Sequence, residues 1–164
     1  MIPKVLKIKG LYSYKDKTET VIDFEQLNQA GLFGIFGATG SGKSSIPEAM
    51  LLAIYGKGVG RANYQDLMNL DSNNLLIDFE FESNGHIYRR IIEGTRKVKS
   101  REVSVETPRT LIKENNEWKP LSKKDGKALI GLDVAEFKKT IIIPQDEFRA
   151  FIELSNSKLT EMLG

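Results

Sequence analysis

The chain has 164 residues, no cysteine, 40% hydrophobic and 28% charged content, and a formal net charge of +2. That is one domain's worth of ordinary globular sequence: it excludes disorder, a disulfide framework, a cysteine-based zinc site and a thiol nucleophile. No apolar run approaches membrane-spanning length, and MIPKVLKIKG interleaves lysines with apolar residues instead of forming a signal-peptide core, so a cytoplasmic protein is expected and any nucleic-acid contact must rest on local charge clusters.

Val5, Leu6 and Ile8 alternate with Lys4, Lys7 and Lys9, and Thr20 to Phe24 is a second extended run across the polar turn Ser13 to Lys17. This reads as an antiparallel strand pair. The apolar residues Leu32, Phe33, Ile35 and Phe36 then predict a buried strand feeding the stretch GATGSGKSS. Gly37, Gly42, Lys43 and Ser44 fit G-x-x-x-x-G-K-[ST], a phosphate loop. A triphosphate is wrapped by backbone N–H groups, which requires glycines that accept positive φ and allow close approach. The expected nucleotide contacts are Gly37, Ala38, Thr39, Gly40, Ser41, Gly42, Lys43, Ser44 and Ser45. Lys43 would bring a point charge to the β/γ-phosphates, Ser44 a hydroxyl to Mg²⁺, and the following helix its positive N-terminus.

That helix is predicted from Ser44 to Tyr55, with Ile46, Met50, Leu51 and Ile54 at helical spacing and Pro47 early enough to cost little. Glycines 56, 58 and 60 end it, and Asn63 to Leu70 predicts a short helix. From Leu75 the period becomes two. Ile77, Phe79 and Phe81 face one way and Asp78, Glu80 and Glu82 the other; Asn84-Gly85 signals a hairpin, and Ile87 to Ile92 returns. Extended pieces at Glu102 to Glu106 and Thr110 to Lys113, with a turn at Asn115-Asn116, continue an antiparallel meander, so the fold class is mixed α/β and not a plain βαβ repeat. Lys123 to Leu132 predicts a helix, Asp133-x-x-Glu136 a capping box opening a helix through Lys139, Thr140 to Ile143 a buried strand stopped by Pro144, and Glu147 to Leu163 a terminal helix.

The sequence resembles the N-terminal half of an ABC-type, SMC-like ATPase head, most closely the SbcC family, the ATPase subunit of the bacterial SbcCD exonuclease. KIKGLYSY followed by TVIDFE, GATGSGKSS, LLAIYGKG, HIYRRII and LIGLDVAEFKKTIIIPQDEFRAFIEL carry the resemblance over nearly the whole chain. It implies a P-loop NTPase lobe over residues 1–150, with 151–164 beginning a helix toward a coiled coil. It also implies that Gln145 joins Ser44 at Mg²⁺ and helps place the attacking water, making Lys43 and Gln145 the catalytic residues here. Asp146 stands where the family usually has glycine after that glutamine, and Pro47 where it has an ordinary helix former. Implied partners are the protein's own C-terminal lobe carrying the signature and acidic strand, a second head, an SbcD-type nuclease and double-stranded DNA ends, in a nucleoid-associated cytoplasmic complex. On this view the chain binds ATP but is catalytically incomplete by itself. The alternatives are the head of a structural SMC or recombination ATPase without nuclease, and a stand-alone P-loop small-molecule kinase, for which the long meander makes a poor lid.

Two segments imitate the missing acidic strand. Asp78 ends an apolar run, but strict alternation through Glu82 favours a plain amphipathic strand, and Asp146 and Glu147 follow a proline at a helix start, where carboxylates are favourable through the dipole. Neither is expected to bind magnesium. Arg89, Arg90, Arg96, Lys97, Lys99 and Arg101 cluster in one hairpin region, and Lys119, Lys123, Lys124 and Lys127 form a second patch. A solvated strand face explains them without a ligand; the resemblance raises DNA phosphate contact as the competing account. His86 reads as a surface residue and Trp118 as core edge; Tyr12 and Tyr14 could approach the nucleotide or DNA, although an exposed turn tyrosine is the simpler account.

Overall fold

A computed structural model describes residues 1–28, 34–38, 40–56, 64–122 and 125–141. The chain divides into two compact units, Met1–Val134 and Ala135–Gly164. In the first, the strands are β1 (Ile2–Lys9), β2 (Thr20–Asp23), β3 (Asn74–Ser83), β4 (His86–Arg96), β5 (Val103–Val105), β6 (Arg109–Glu114) and β7 (Glu117–Pro120). Its helices are α1 (Glu25–Asn28), α2 (Ser45–Tyr55), α3 (Tyr64–Leu67) and α4 (Gly126–Ile130). The described strands form an antiparallel sheet in the order β2-β1-β3-β4-β6-β7, with β5 sharing the β6 edge of β4.

The period-two pattern sets the register. Leu6 and Ile8 lie opposite Phe79 and Ile77, and Phe81, Phe79 and Ile77 lie opposite Tyr88, Arg90 and Ile92. These residues form one buried face, with Leu6, Ile8, Ile77, Phe79, Phe81 and Ile92 wholly out of water. Phe79 and Phe81 stack at 5.2 Å between ring centroids. Two turns close the hairpins in the left-handed region that suits right-twisting strands: Asn84 and Gly85 have φ of 51° and 75°, Asn115 and Asn116 of 49° and 67°. Against the buried face lies α2, whose Ser45, Ile46, Ala49, Met50, Leu51, Leu52, Ala53 and Ile54 are all buried. A helix apolar on most of its circumference must be covered on several sides, here by β3, β4 and α4. The contact with α4 is tight, because a Cβ on Gly126 would lie 2.3 Å from Ile54 Cγ2 and 2.5 Å from the Ile54 carbonyl.

Pro47 is the third residue of α2, where its missing N–H has no intrahelical partner to lose. Gly56, at φ 66°, closes the helix by donating to the Leu52 carbonyl at 2.8 Å. The helix expected over 123–132 is shorter, since Asp125 accepts from the Ala128 N–H at 2.8 Å and fixes the start there, and Gly131 ends it at φ 83°. The helix expected over 63–70 stops at Leu67, because Met68 instead bridges to Leu11.

Two expected strands are corrected over their described residues; Leu32 and Phe33, the start of the first, lie outside those residues. Residues 34–38 carry no regular structure, Phe36 is 80% exposed, and Ile35 is 40% exposed. A strand needs a hydrogen-bonded neighbour, and none of the described strands pairs with this segment. Helix α5 (Val134–Ile141), which belongs to the second unit from Ala135 onward, takes in Thr140 and Ile141, which were expected to be extended. Val134, Phe137 and Ile141 sit at i, i+3 and i+7, and this helical spacing prevails over the β-branched preference of the run; Phe137 is wholly buried. Ile142, Ile143 and the terminal helix expected from Glu147 lie outside the described residues, as does the expected division at residue 150.

Candidate functional site

At the head of α2 the chain makes two left-handed steps, Gly40 at φ 82° and Gly42 at φ 86°. The Ser41 N–H donates to the Ala38 carbonyl at 3.2 Å, and the Ser45 N–H to the Gly42 carbonyl at 3.0 Å, which tightens the first turn of the helix. Gly37 is close-packed for a different reason: a Cβ there would approach Ser41 Oγ to 2.9 Å, so that hydroxyl would have to turn away. The Lys43 ammonium reaches back over the loop and donates to the Gly37 and Ala38 carbonyls, both at 2.7 Å. Ser44 occupies the N-cap position in a helical conformation and makes no side-chain capping bond, so its exposed hydroxyl is available to a ligand.

These residues border an open cavity of about 360 Å³ lined by Gly40, Gly42, Lys43, Ser44, Ser45 and Glu48 on the loop and helix side. Tyr12 and Ser13 line it from across the way. That opposite wall is built by the turn between β1 and β2. Gly10, at φ 63°, lies so near the Asn74 carbonyl that a Cβ would meet it at 1.9 Å. Tyr12, itself at φ 50°, donates its N–H to the Leu67 carbonyl at 2.8 Å and accepts from Asn69 Nδ2 at 2.5 Å. The Tyr14 hydroxyl donates to the Gly42 carbonyl at 3.2 Å. Asp16 closes the turn by accepting the N–H groups of Asn73 and Asn74, each at 2.9 Å, and these bonds hold its carboxyl below the usual carboxylate range.

The expected picture of exposed turn tyrosines is therefore corrected: both rings are half-buried against the phosphate loop. Burial raises the pKa of each phenol, and the nearby Glu48 carboxylate raises that of Tyr12 further, so both hydroxyls stay protonated donors at neutral pH. Tyr12, Ser13, Tyr14 and Glu48 were not among the site residues read from sequence. Glu48 was findable, being one helical turn beyond Ser44; for the tyrosines the sequence left an approach to the nucleotide open as the less simple reading, and the fold brings Tyr14 onto the Gly42 carbonyl and Tyr12 to the cavity.

The structure gathers Gly37, Ala38, Gly40, Ser41, Gly42, Lys43, Ser44 and Ser45 at one end of α2, while Thr39 and Gln145 lie outside the described residues. An ammonium, a spare hydroxyl and the positive end of an eleven-residue helix converge on the cavity, which suits a polyanion. Among the described residues no group of three or more His, Asp or Glu side chains could hold a metal ion. Mg²⁺ at a phosphate site is usually held by one or two protein ligands together with the phosphate oxygens.

The basic cluster resolves into two kinds of residue. Arg89 forks onto the Asp78 carboxylate, Nε to Oδ1 at 2.8 Å and Nη2 to Oδ2 at 2.6 Å, and lies over the Trp118 ring at 5.8 Å. Arg90 is buried on the core face of β4, where it donates to the Ala53 carbonyl at 2.9 Å and to Thr110 Oγ1. Arg96 is buried as well and gathers the carbonyls of Met68, Asn69, Leu70 and Ser72. All three were expected at a DNA surface; the burial of Arg90 and Arg96 corrects that expectation for those two, while Arg89, forked onto Asp78, stays partly in water. Lys97, Lys99 and Arg101 remain on the exposed turn after β4, Lys97 paired with Glu102 at 2.9 Å and Arg101 donating to the Leu70 carbonyl at 2.9 Å. Lys119 pairs with Glu114 at 3.0 Å, and Lys123 and Lys124 lie outside the described residues. Asp78 is the Arg89 partner on the outer face of β3, away from the cavity, in keeping with the amphipathic-strand reading; Asp146 and Glu147 are not described.

Residues 5–163 match a family described as "AAA domain". The chain is 36% identical to the SbcC subunit of the SbcCD nuclease from Bacillus subtilis, over 99% of its own length and 15% of that protein's. The protein of the same name from Clostridium acetobutylicum is 32% identical over 99% of the chain and 14% of the relative. The "DNA double-strand break repair Rad50 ATPase" of Methanocaldococcus jannaschii is 29% identical over 98% of the chain and 15% of its own length. The chain thus spans about one seventh of these curated relatives.

Proposed function

This chain belongs to the AAA domain family, and from that membership we propose that it is the ATP-binding N-terminal half of an SbcC-like ATPase head acting in DNA double-strand-break repair. The observation that carries the proposal is the loop at the head of α2: two left-handed glycines, a lysine folded over the loop carbonyls and a serine hydroxyl unused in capping, all facing one cavity. The N–H groups of residues 37–45 would wrap the phosphates and Lys43 would neutralise their charge. Ser44 would offer its hydroxyl to Mg²⁺, with Gln145 as the second protein ligand that the SbcC resemblance implies. Bound there, Mg²⁺ would supply neutralisation of the charge on the phosphate oxygens. The chain's own contribution to phosphoryl transfer is positioning and electrostatic stabilisation.

The rest of the activity belongs to the assembled protein. We assign the remaining catalytic groups to a C-terminal lobe and to a second head, and the cutting of DNA ends to an SbcD-type nuclease; the relatives' names support this nuclease-linked reading over a structural SMC head or a small-molecule kinase. We assign contact with DNA phosphates to Lys97, Lys99 and Arg101, which are exposed on the turn after β4, in a nucleoid-associated complex. The deciding measurement is calorimetric titration of the chain with Mg·ATPγS, comparing wild type with Lys43→Ala. Loss of binding in the variant is the expected outcome. Equal affinity in the two proteins would remove the nucleotide assignment.

A further inference from the structure

We propose that Tyr14 is a positioning residue for the phosphate loop: its hydroxyl, donated to the Gly42 carbonyl, holds the peptide between Gly42 and Lys43 so that the amide on its other edge faces the phosphates. The proposal rests on the nucleotide reading of the loop and adds to it a residue from a different part of the chain.

The Gly42 carbonyl receives two donors, the Ser45 N–H at 3.0 Å from within the helix and the Tyr14 hydroxyl at 3.2 Å from the β1–β2 turn. A trans peptide is planar, with its C=O and N–H pointing in opposite directions. Fixing the Gly42 oxygen therefore fixes the Lys43 N–H, and Gly42, Lys43 and Ser44 all border the cavity. A donor on the carbonyl also polarises the same amide, which strengthens the bond its N–H can make to an anion. Without that donor, Gly42 at φ 86° sits in a region where glycine has little intrinsic preference to remain.

Tyr14 can do this because it is itself held. Its N–H donates to the Leu11 carbonyl at 2.9 Å, Leu11 bridges to Met68, and the Tyr12 N–H donates to the Leu67 carbonyl at 2.8 Å. The ring has a second role. Its Cζ and Cε2 lie 3.0 and 3.1 Å from where a Cβ on Gly42 would stand, so the tyrosine also walls the glycine in. Loop and turn are 28 residues apart in sequence, and the hydroxyl bond joins them directly.

The test is Tyr14→Phe, which keeps the ring wall and removes the donor. Mg·ATPγS and Mg·ADP are titrated into wild type, Tyr14→Phe and Lys43→Ala by calorimetry, with Tm and the amide exchange of Ser45, whose N–H is bonded to the Gly42 carbonyl, measured alongside. The expected result is an affinity about three- to tenfold lower in Tyr14→Phe for both nucleotides alike, the worth of one hydrogen bond. Exchange at Ser45 should quicken while Tm stays within two or so degrees of wild type. Affinity within twofold of wild type, when Lys43→Ala has lost binding, overturns the role of Tyr14 alone. A loss confined to ATPγS overturns it too, in favour of direct contact with the terminal phosphate, and a loss that tracks a lowered Tm assigns Tyr14 to the fold. Binding unaltered in Lys43→Ala removes the nucleotide reading and this proposal with it.

Discussion

Asp78→Ala separates a structural carboxylate from a catalytic one. The Asp78 side chain is 8% exposed and accepts two hydrogen bonds from Arg89, whose side chain is 29% exposed. Truncating the acid leaves a cation that water can partly reach. The cost falls between that of an exposed pair, about 0–1 kcal/mol, and that of a broken buried pair, about 3–5 kcal/mol, and we place it near ~2 kcal/mol. For a chain of this length that corresponds to a Tm lower by roughly 4–8 °C. Arg89→Met should cost more, about 3 kcal/mol, since it strands the more buried partner. Circular-dichroism melts measure both, and calorimetry with Mg·ATPγS measures the site. The expected outcome is a lowered Tm with nucleotide affinity unchanged. A Tm within 2 °C of wild type together with lost magnesium-dependent binding would show instead that Asp78 serves the nucleotide, and the assignment of this strand would have to be reversed.

Gly10→Ala should destabilise by more than about 3 kcal/mol, because the new Cβ meets the Asn74 carbonyl at 1.9 Å, backbone against backbone, at a φ of 63°; urea denaturation reads the loss. Arg90→Met, which removes the donor from the Ala53 carbonyl and from Thr110, should cost about 3 kcal/mol by the same measurement while leaving DNA binding in gel shifts unaltered. Asp16→Asn tests acid sensitivity. The Asp16 carboxyl is depressed by the Asn73 and Asn74 N–H groups, so its stabilisation is complete above the ordinary carboxylate pKa of about 3.9 and is lost as pH falls through the lower folded value. Urea midpoints at pH 7 and pH 2.5 should differ less in the variant than in wild type, and an equal difference would sink this reading.

Alternation and turn chemistry made most of the first unit legible. Phe79 and Phe81 alternating with Glu80 and Glu82, and the Asn-Gly and Asn-Asn turns, specify β3, β4, β6 and β7 locally, because a one-residue slip would turn the buried face to water. The phosphate loop was legible for a related reason, since its conformation needs glycines at fixed offsets. What periodicity missed is long-range. Arg90 occupies a core-facing position in HIYRRII, a place where composition argues for an exposed cation; its burial depends on the carbonyls at the C-terminus of α2, which no local pattern in β4 encodes.

That burial ties the two ends of the site helix to different parts of the sheet. The C-terminal carbonyls of α2 meet the Arg90 guanidinium from β4, the charge sign the helix dipole favours there. At the other end the Gly42 carbonyl meets Tyr14 from the β1–β2 turn, and Lys43, Ser44 and Ser45 beyond it line the cavity. The turn is fastened in its own right: Asp16 and Tyr12 bind the 67–74 segment, whose carbonyls are gathered by Arg96 at the end of β4. One strand therefore contributes two buried arginines, one holding the far end of the helix and one holding the segment that supports the near end. The phosphate loop lies between these anchors with glycine at its two left-handed steps, so the Tyr14 bond from outside adds to the bonds that Lys43, Ser41 and Ser45 make within the loop. For that reason substitutions at Arg96 or Asp16, which do not line the cavity, should reach the nucleotide through Tyr14.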